Sequence, residues 1–377
     1  MLEIVSVSTK RDLDAFIKIP GILAANDPNW VEPLWFERKQ FLSPKHNPFF
    51  QHADTAFWVA YNNGKPAGRI SAQIDHLSTA NDDQRIGFFG LIDARDDAVL
   101  DGLLKEAEKW LSHRDVESVR GPFSLSINET AGLLVDGFDS PPYVMMDHHD
   151  PWLGPALEKR GYSKVKDLVT YRLDTTNGLE DRFRSIANRP YNGLEIRSLN
   201  MKRYAEEIVT VTSIFNDAWA GNWGFIPLTE AEIDAMASDL KPILDPELVK
   251  IAELDGKPVA FIVLLPNINE AIADLRGKLL PFGWLKLLWK LKVSGVRTAR
   301  VPPMGVRQEI SDTLIGKALP LKLIYALEER AKARNIQELE LSWLLEDNKA
   351  VRGVVEAIGG QLSKTYRVYD KDLKAPS

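Results

Sequence analysis

Runs of apolar and polar residues follow one another along the chain in an order that occurs twice. Each half contains two β-rich runs separated by a tight turn, at 57–61 with 68–74 and at 249–254 with 259–265. The turns are Asn63-Gly64 and Asp255-Gly256. Both dipeptides favour the two-residue connection of a β-hairpin. Each half is therefore predicted to contain one hairpin.

The same elements follow both hairpins. The pattern predicts a strand, a long helix, a strand, a short helix and a closing strand. In the first half these lie at 86–92, 98–113 and 116–123, then after Asp150, and at 165–173. In the second half they lie at 301–306, 319–334 and 336–345, then after Asn348, and at 363–369. We predict two domains of mixed α/β class, 1–178 and 190–377, divided within the polar segment 175–192.

Composition narrows the class of protein. The chain has 377 residues, which suits two domains, and its 45% hydrophobic and 27% charged residues are typical of globular proteins. A net charge of −6 argues against nucleic acid as a partner. The chain has no cysteine, which excludes thiolate metal sites and a cysteine nucleophile, and we expect no metal. The N-terminus lacks a signal-peptide pattern, so we expect a cytoplasmic protein.

The second half carries a short motif before its long helix, Thr313-Leu-Ile-Gly316-Lys-Ala318. With the order of elements, it resembles the Arg/Gln-x-x-Gly-x-Gly/Ala turn of GNAT acyltransferases, although Thr313 replaces the Arg or Gln. In that turn, small residues let backbone amides at a helix N-terminus approach the pyrophosphate of acyl-CoA. The resemblance implies acyl-CoA as co-substrate, contacted by Val306, Thr313, Gly316, Lys317 and Ala318.

The predicted strand 336–345 and the following Asn348 resemble the fifth GNAT strand and its asparagine. In that fold the sheet splays open there, and strand amides and carbonyls hold the pantetheine arm, so Asn348 is also implied at the cofactor. The first half has Asp93-Ala-Arg-Asp96-Asp97 in place of the phosphate turn. These carboxylates would cap a helix but repel a pyrophosphate. We therefore expect an acyl-CoA site in the second domain only.

Longer segments connect the whole chain with a subgroup of this superfamily. They are Asp27-Pro-Asn-Trp30, Asn47-Pro-Phe-Phe50, Gly121-Pro-Phe123 and Asn222-Trp-Gly-Phe-Ile-Pro227. They resemble tandem GNAT-like bacterial proteins that include the bacterial ceramide synthases. The resemblance implies transfer of a long acyl chain to a lipid amine such as a sphingoid base. Three alternatives stay open: a small-acyl N-acetyltransferase, a Fem-like aminoacyl transferase, and a non-catalytic acyl-CoA or lipid-binding protein.

Candidate catalytic groups are few. All six histidines lie in the first half, so a base near the predicted acyl-CoA site is a carboxylate, a tyrosine or water unless the first domain supplies a histidine. The family often has a tyrosine seven residues after the asparagine, but Val355 stands there. The catalytic candidates are Glu346 as base, Tyr366 as acid and His149 toward the acceptor. The candidates for substrate contact are Asn128, Trp223, Phe225 and Trp284.

The segment 275–300 is an insertion that is both apolar and basic. It carries Arg276, Lys278, Lys286, Lys290, Lys292, Arg297 and Arg300 and no acidic residue. The pattern predicts a helix over 282–293 that stops at Gly295. Trp and Lys together favour an interfacial helix that binds an anionic membrane surface through 276–300. The alternative is a core helix whose lysines face water. We expect peripheral binding to the inner membrane and a lipid substrate.

Overall fold

The computed structural model describes residues 1–79, 85–241 and 244–374. Strands and helices alternate along most of this length. The strands are β1 (Leu2–Ser6), β2 (Ala53–Asn62), β3 (Lys65–Asp75), β4 (Ile86–Ala94), β5 (Ser118–Gly121), β6 (Leu133–Asp136), β7 (Ser163–Asp174), β8 (Leu194–Ser198), β9 (Val249–Leu254), β10 (Lys257–Val263), β11 (Leu265–Pro266), β12 (Thr298–Val301), β13 (Met304–Val306), β14 (Glu338–Leu345) and β15 (Gln361–Asp372). The helices are α1 (Lys10–Leu23), α2 (Trp35–Phe41), α3 (His76–Thr79), α4 (Asp97–Ser112), α5 (Leu153–Glu158), α6 (Asp181–Asn188), α7 (Tyr204–Trp219), α8 (Glu230–Leu240), α9 (Ile268–Ile272), α10 (Gly283–Trp289), α11 (Gln308–Ser311), α12 (Leu314–Ala333) and α13 (Lys349–Ala357).

The chain forms two compact units, each assembled from separate segments. Unit 1 consists of Met1–Leu168, Ile272–Gly283 and Lys364–Ser377, and unit 2 of Val169–Ala271 and Trp284–Ser363. The predicted division into 1–178 and 190–377 describes the repeated order of elements in the sequence, and as a domain boundary it stays a prediction.

In unit 1 the strands follow the order β1-β2-β3-β4-β5-β15, and β6 also pairs with β15. Neighbours are antiparallel except β4 and β5, which are parallel and are connected through α4. The predicted hairpin is present, with Asn63 and Gly64 at positive φ between β2 and β3. Apolar side chains of α4, including Leu100 and Leu103, pack into the core on the sheet.

Unit 2 contains two groups of strands. The antiparallel order β13-β10-β9-β8 includes the second predicted hairpin, with Asp255 and Gly256 at positive φ. The other group has the order β7-β14-β12-β11, and β12 and β14 are parallel. Helix α12 packs into the core of this unit through residues such as Leu319, Leu323 and Leu327.

Three predicted elements need correction. The single strand expected at 301–306 is two strands, β12 and β13, which pair with different neighbours. The long helix expected at 319–334 begins at Leu314, because the Thr313 side chain caps its first turn. The polar segment 175–192, for which the pattern predicted no helix, contains α6, which buries Ala187 against the core.

Candidate functional site

The parallel strands of unit 2 separate part-way along their length. Strands β12 and β14 are paired from Thr298 with Glu338 to Val301 with Leu341. Beyond that point the chain continues from β12 into β13, which pairs with β10 instead. Two strands that stop pairing in this way leave backbone groups along an open edge. The sequence resemblance implied a pantetheine site at such a splayed edge, and that site stays a prediction here.

Val306 lies on the open edge of β13. The Arg307 amide donates to the Val259 carbonyl at 2.8 Å, and the Val263 amide donates to the Pro303 carbonyl at 3.2 Å. Val306 is paired with Ala260 between these bonded positions. Bonded and non-bonded pairs alternate along an antiparallel ladder. The Val306 N–H and C=O therefore point away from β10.

The predicted phosphate turn forms the start of α12. Thr313 is the N-cap, and its hydroxyl accepts a hydrogen bond from the Gly316 amide at 3.0 Å. A Cβ atom on Gly316 would lie 1.9 Å from the carbonyl oxygen of Ile310. Close packing of α11 on α12 therefore requires a glycine here, whether or not a phosphate also approaches the backbone. Helix geometry leaves the first-turn amides of Leu314 and Ile315 without intrahelical acceptors.

The remaining residues of this turn have different environments. Lys317 is exposed, whereas Ala318 is buried. Lys317 can therefore reach an anion near the helix start, while Ala318 contributes packing.

An aromatic cluster lies next to β13. The Phe225 ring is 5.9 Å from that of Phe215, which is 5.3 Å from that of Trp219. The Trp219 indole N–H donates to the Met304 carbonyl at 3.2 Å. These contacts connect the predicted substrate-contact loop with the open strand edge. Trp223, two residues before Phe225, is partly buried.

The residues after β14 make structural contacts. The Asn348 side chain accepts a hydrogen bond from the Val351 amide at 3.2 Å and caps α13. The Glu346 carbonyl accepts a hydrogen bond from Arg352 at 2.7 Å, and its side chain is partly exposed. Val355 is buried in the core. Where the family often has a tyrosine, this chain therefore has an apolar side chain that packs in the core.

Three predicted site residues belong to unit 1. The Tyr366 side chain is fully buried, and its hydroxyl donates to the Asp147 carbonyl at 3.1 Å. The buried His149 Nδ1 accepts a hydrogen bond from the Leu134 amide at 3.2 Å, and Asn128 is partly buried. Burial lowers the pKa of His149, so the ring is neutral at pH 7. The structure does not bring these residues into the unit that contains Glu346 and α12.

The sequence singled out the adjacent histidines 148 and 149, but it did not predict the side chain that His148 contacts. The buried His148 Nε2 is 2.8 Å from Asp27 Oδ2, over a sequence separation of 121 residues. Both residues lie in unit 1. The adjacent histidines 148 and 149 are evident in the sequence. The contact between His148 and Asp27 is not, because only the folded loops bring the two residues together.

Most apolar side chains of the insertion between residues 280 and 293 are exposed. Helix α10 continues through a π-helical turn, Lys290–Ser294, and stops at Gly295 as predicted. The exposed apolar residues are Leu280, Phe282, Trp284, Leu285, Leu288, Trp289 and Val293. The alternative of a core helix with lysines facing water is therefore wrong. Arg300, counted among the insertion's surface cations, is only 2% exposed, because β12 places it against Ser342 and over the Trp343 ring.

Comparisons with known proteins identify the family. The chain is 47% identical to the bacterial ceramide synthase of Caulobacter vibrioides over 375 residues, which cover 99% of this chain and 98% of that protein. The chain belongs to the bacterial ceramide synthase family. It is also 46% identical to protein YghO of Escherichia coli, over 97% of this chain and 94% of that protein. No family model matches the chain. Membership confirms the predicted class, an N-acyltransferase.

Solved structures confirm the fold of this family member. A tandem GNAT protein from the clavulanic acid biosynthesis pathway aligns over the whole of both chains, with a TM-score of 0.59 and 13% identity. A GCN5-related N-acetyltransferase from Sphaerobacter thermophilus covers all of this chain and 97% of its own, with a TM-score of 0.54 and 13% identity. The predicted tandem GNAT-like architecture is therefore correct.

Two kinds of feature are absent from the described ranges. Among residues 1–79, 85–241 and 244–374, no helix is both long and apolar enough to cross a bilayer. Within the same ranges, no group of three His, Cys, Asp or Glu side chains is arranged to hold a metal ion.

Proposed function

We propose that this family member transfers a long-chain acyl group from acyl-CoA to the amine of a lipid such as a sphingoid base. The amine nitrogen attacks the thioester carbonyl, a C–N bond forms, and the C–S bond breaks. The proton lost by nitrogen ends on the thiol of CoA. The observation that carries the proposal is the separation of β13 from β14 beside the N-terminus of α12, in a chain of the ceramide synthase family.

The residues of unit 2 suggest how acyl-CoA binds. The pantetheine arm extends along β13 and bonds the Val306 amide and carbonyl. The pyrophosphate lies at the first-turn amides of Leu314 and Ile315, where the helix dipole favours an anion. The Gly316 amide already bonds Thr313, so the Thr313 hydroxyl and exposed Lys317 complete the site.

The aromatic cluster supports an apolar substrate. Phe225, Phe215 and Trp219 form a continuous ring contact that reaches the Met304 carbonyl. Such side chains favour a hydrocarbon chain over a small polar acceptor.

The test compares donors and acceptors with the purified protein. Palmitoyl-CoA and acetyl-CoA are each incubated with and without sphinganine, and released CoA is followed with a thiol reagent. The protein has no cysteine and adds no thiol background. We expect sphinganine-dependent release from palmitoyl-CoA, with an amide product found by mass spectrometry.

Other outcomes point to the alternatives. Turnover of acetyl-CoA alone would show a small-acyl transferase, and turnover that requires aminoacyl-tRNA would show a Fem-like enzyme. Tight palmitoyl-CoA binding without release over a panel of lipid amines would overturn the transferase proposal.

We also propose that the insertion binds an anionic membrane surface, so that the enzyme works peripherally at the cytoplasmic face of the inner membrane. Trp284, Leu288 and Trp289 are 45%, 46% and 60% exposed. Apart from the buried Arg300, the segment 276–300 has six cationic residues and no acidic residue, in a chain of net charge −6. Exposed Trp and Leu beside Lys are typical of helices that lie in a lipid interface.

Vesicle sedimentation tests this surface. We expect the protein to bind vesicles of phosphatidylglycerol and phosphatidylcholine, and to bind pure phosphatidylcholine at least tenfold more weakly. Replacing Trp284 and Leu288 by Ser should weaken binding to the anionic vesicles at least tenfold. The matched control replaces Val209 and Met236, which are also exposed on helices of unit 2, by Ser. Equal binding by both double variants would contradict the proposal.

A further inference from the structure

Two tryptophans near the start of unit 1 are held by one carboxylate. The Trp30 indole N–H donates to Glu32 Oε2 at 3.2 Å, and the Trp35 indole N–H donates to Glu32 Oε1 at 2.7 Å. All three residues are half-buried. The segment that begins with Asp27-Pro-Asn-Trp30 therefore fixes two aromatic rings in position.

Trp35 in turn holds the start of the insertion. Its backbone amide donates to the Gly277 carbonyl at 3.0 Å. A Cβ atom on Gly277, whose φ is +75°, would lie 2.4 Å from the Trp35 indole nitrogen, so this close contact requires glycine. The ammonium groups of Lys18 and Lys278 lie 4.8 and 5.6 Å from the centre of the Trp35 ring. All of these residues belong to unit 1.

Large apolar side chains are exposed close to this contact. Phe36 follows Trp35 directly and is 61% exposed, and Leu280 and Phe282 are 78% and 73% exposed. Leu280 comes three residues after Gly277, a length of chain that spans at most about 11 Å. The hydrogen bond between Trp35 and Gly277 therefore brings the exposed side chains of α2 and of the insertion to one part of unit 1.

Basic side chains accompany these apolar residues. Arg276 and Lys278 are exposed and come from the insertion, which contains no acidic residue, and Lys18 reaches Trp35 from α1. The carboxylates of Asp14 and Glu37 are each paired with a basic residue of α2. The carboxylate between the two tryptophans offsets one of the three remaining positive charges, and the surface stays positive.

We propose that Phe36, Leu280 and Phe282, with the three cations beside them, form a lipid-binding surface of unit 1 whose partner is an anionic phospholipid bilayer. The inference rests on the proposed membrane binding of the insertion and extends it to α2, which lies outside 276–300. Exposed apolar side chains favour the acyl boundary of a bilayer, and lysine and arginine favour its anionic headgroups.

Two physical arguments favour this partner. A second copy of the chain that docked through the same face would place like charges opposite each other, which opposes association. The contact between Trp35 and Gly277 fixes the insertion before lipid binds, which reduces the entropy lost on binding. A bilayer satisfies both the charge and the apolar character of the surface.

A label at a single position tests the surface directly. The protein contains no cysteine, so Phe36→Cys can be labelled specifically with an environment-sensitive fluorophore. The labelled protein is mixed with vesicles of phosphatidylglycerol and phosphatidylcholine whose acyl chains carry bromine. We expect a blue shift and at least about twofold quenching, because an interfacial side chain lies at the acyl boundary.

Leu2→Cys is the matched control. Leu2 is also an exposed apolar residue of unit 1, but a Cβ atom on Gly102 of α4 would lie 3.7 Å from its side chain. Helices α1 and α4 pack on opposite faces of the sheet, against alternate residues of β2 such as Val59 and Trp58. The label at Leu2 should therefore be neither shifted nor quenched.

A label at Trp284, in unit 2, separates this inference from the membrane binding already proposed for the insertion. Quenching of the Trp284→Cys label without quenching of the Phe36→Cys label would refute the surface on unit 1 and leave the earlier proposal intact. If neither label is quenched and the protein does not sediment with the vesicles, both proposals fail. A blue shift at Phe36 without vesicles, together with a dimer in analytical ultracentrifugation, would show a second copy on this face instead.

Vesicle affinity gives an independent measure. Replacing Phe36 and Leu280 by Ser should weaken binding to the anionic vesicles at least about tenfold, since burying each apolar side chain contributes roughly that factor. The melting temperature should not change, because both side chains are exposed. Leu2→Ser should bind like the wild-type protein, and undiminished binding by the double variant would contradict the inference.

Discussion

Lys322 shows how one side chain connects two helices of unit 2. Its Nζ lies 2.6 Å from the carbonyls of both Ala187 and Arg189, at the C-terminal end of α6. The side chain is largely buried, and burial lowers its pKa. The last carbonyls of a helix lack intrahelical donors and carry the negative end of its dipole, so an ammonium group stabilises them.

Replacing Lys322 by Met should therefore destabilise the protein by about 2 kcal/mol, within the range for hydrogen bonds to charged groups. The matched control is Lys332→Met in the same helix, where the lysine makes only a partly exposed ion pair with Glu328. That pair should contribute less than about 1 kcal/mol. Urea unfolding of both variants measures the difference. Equal losses would show that the buried contacts add nothing beyond a surface pair.

At the scale of elements, the start of α12 depends on close contact with α11. The Thr313 hydroxyl caps the helix, and Gly316 lets the Ile310 carbonyl approach the first turn. The same short segment also carries the proposed pyrophosphate site. Packing between these helices therefore determines where the first-turn amides point.

Gly316→Ala should lower the stability of the protein, although Ala usually stabilises a helix relative to Gly. Ala normally stabilises a helix by about 0.5–1 kcal/mol relative to Gly, but here its Cβ would lie 1.9 Å from the Ile310 carbonyl oxygen. We expect lower stability and a KM for palmitoyl-CoA raised at least fivefold. The control is Gly353→Ala in α13, where no atom lies within 4 Å of the added Cβ and Ala should stabilise. Similar behaviour of the two variants in urea unfolding and kinetics would contradict this account.

At the scale of the whole molecule, each compact unit is assembled from separate segments of the chain. The closing strand of the second repeat, β15, contributes its residues from Lys364 onward to unit 1, where they pair with β5 and β6. The stability of unit 1 therefore depends on the C-terminal end of the chain. The buried His148 and His149 also lie in unit 1, and they make the stability of the protein depend on pH.

Stability should fall as the pH drops below about 6.5. Burial lowers the pKa of both His148 and His149 below the ordinary value of 6.5, so the unfolded chain binds more protons than the native protein in that range. The contribution of neutral histidine is present above the unfolded pKa and is lost as the pH falls toward the lowered native pKa. Melting temperatures between pH 7.5 and 5.5 measure it. A double His148→Gln and His149→Gln variant should show a shallower decrease, and an equal slope would count against burial as the cause.

Local patterns in the sequence predicted most of the helices and strands, and the resemblance carried by their order and motifs predicted the fold. The Asn63-Gly64 and Asp255-Gly256 turns adopt the positive φ angles that these residues favour. The helices and strands follow the predicted order twice, because apolar periodicity reflects which face of each element is buried. The role of the segment around Gly316 at a pyrophosphate stays a prediction, and the structure supplies packing against Ile310 as a reason for the glycine.

Long-range contacts determined the features that the sequence did not predict. The division of one expected strand into β12 and β13 depends on which neighbours each half pairs with, and no local pattern encodes that choice. The sequence determined that the insertion is apolar and basic, but only the tertiary structure showed that its tryptophans are exposed and that Arg300 is buried. The pairing of His148 with Asp27 likewise arises from loops 121 residues apart. A sequence specifies what each segment prefers locally, whereas a site forms where distant segments meet, and that meeting depends on packing of the whole chain.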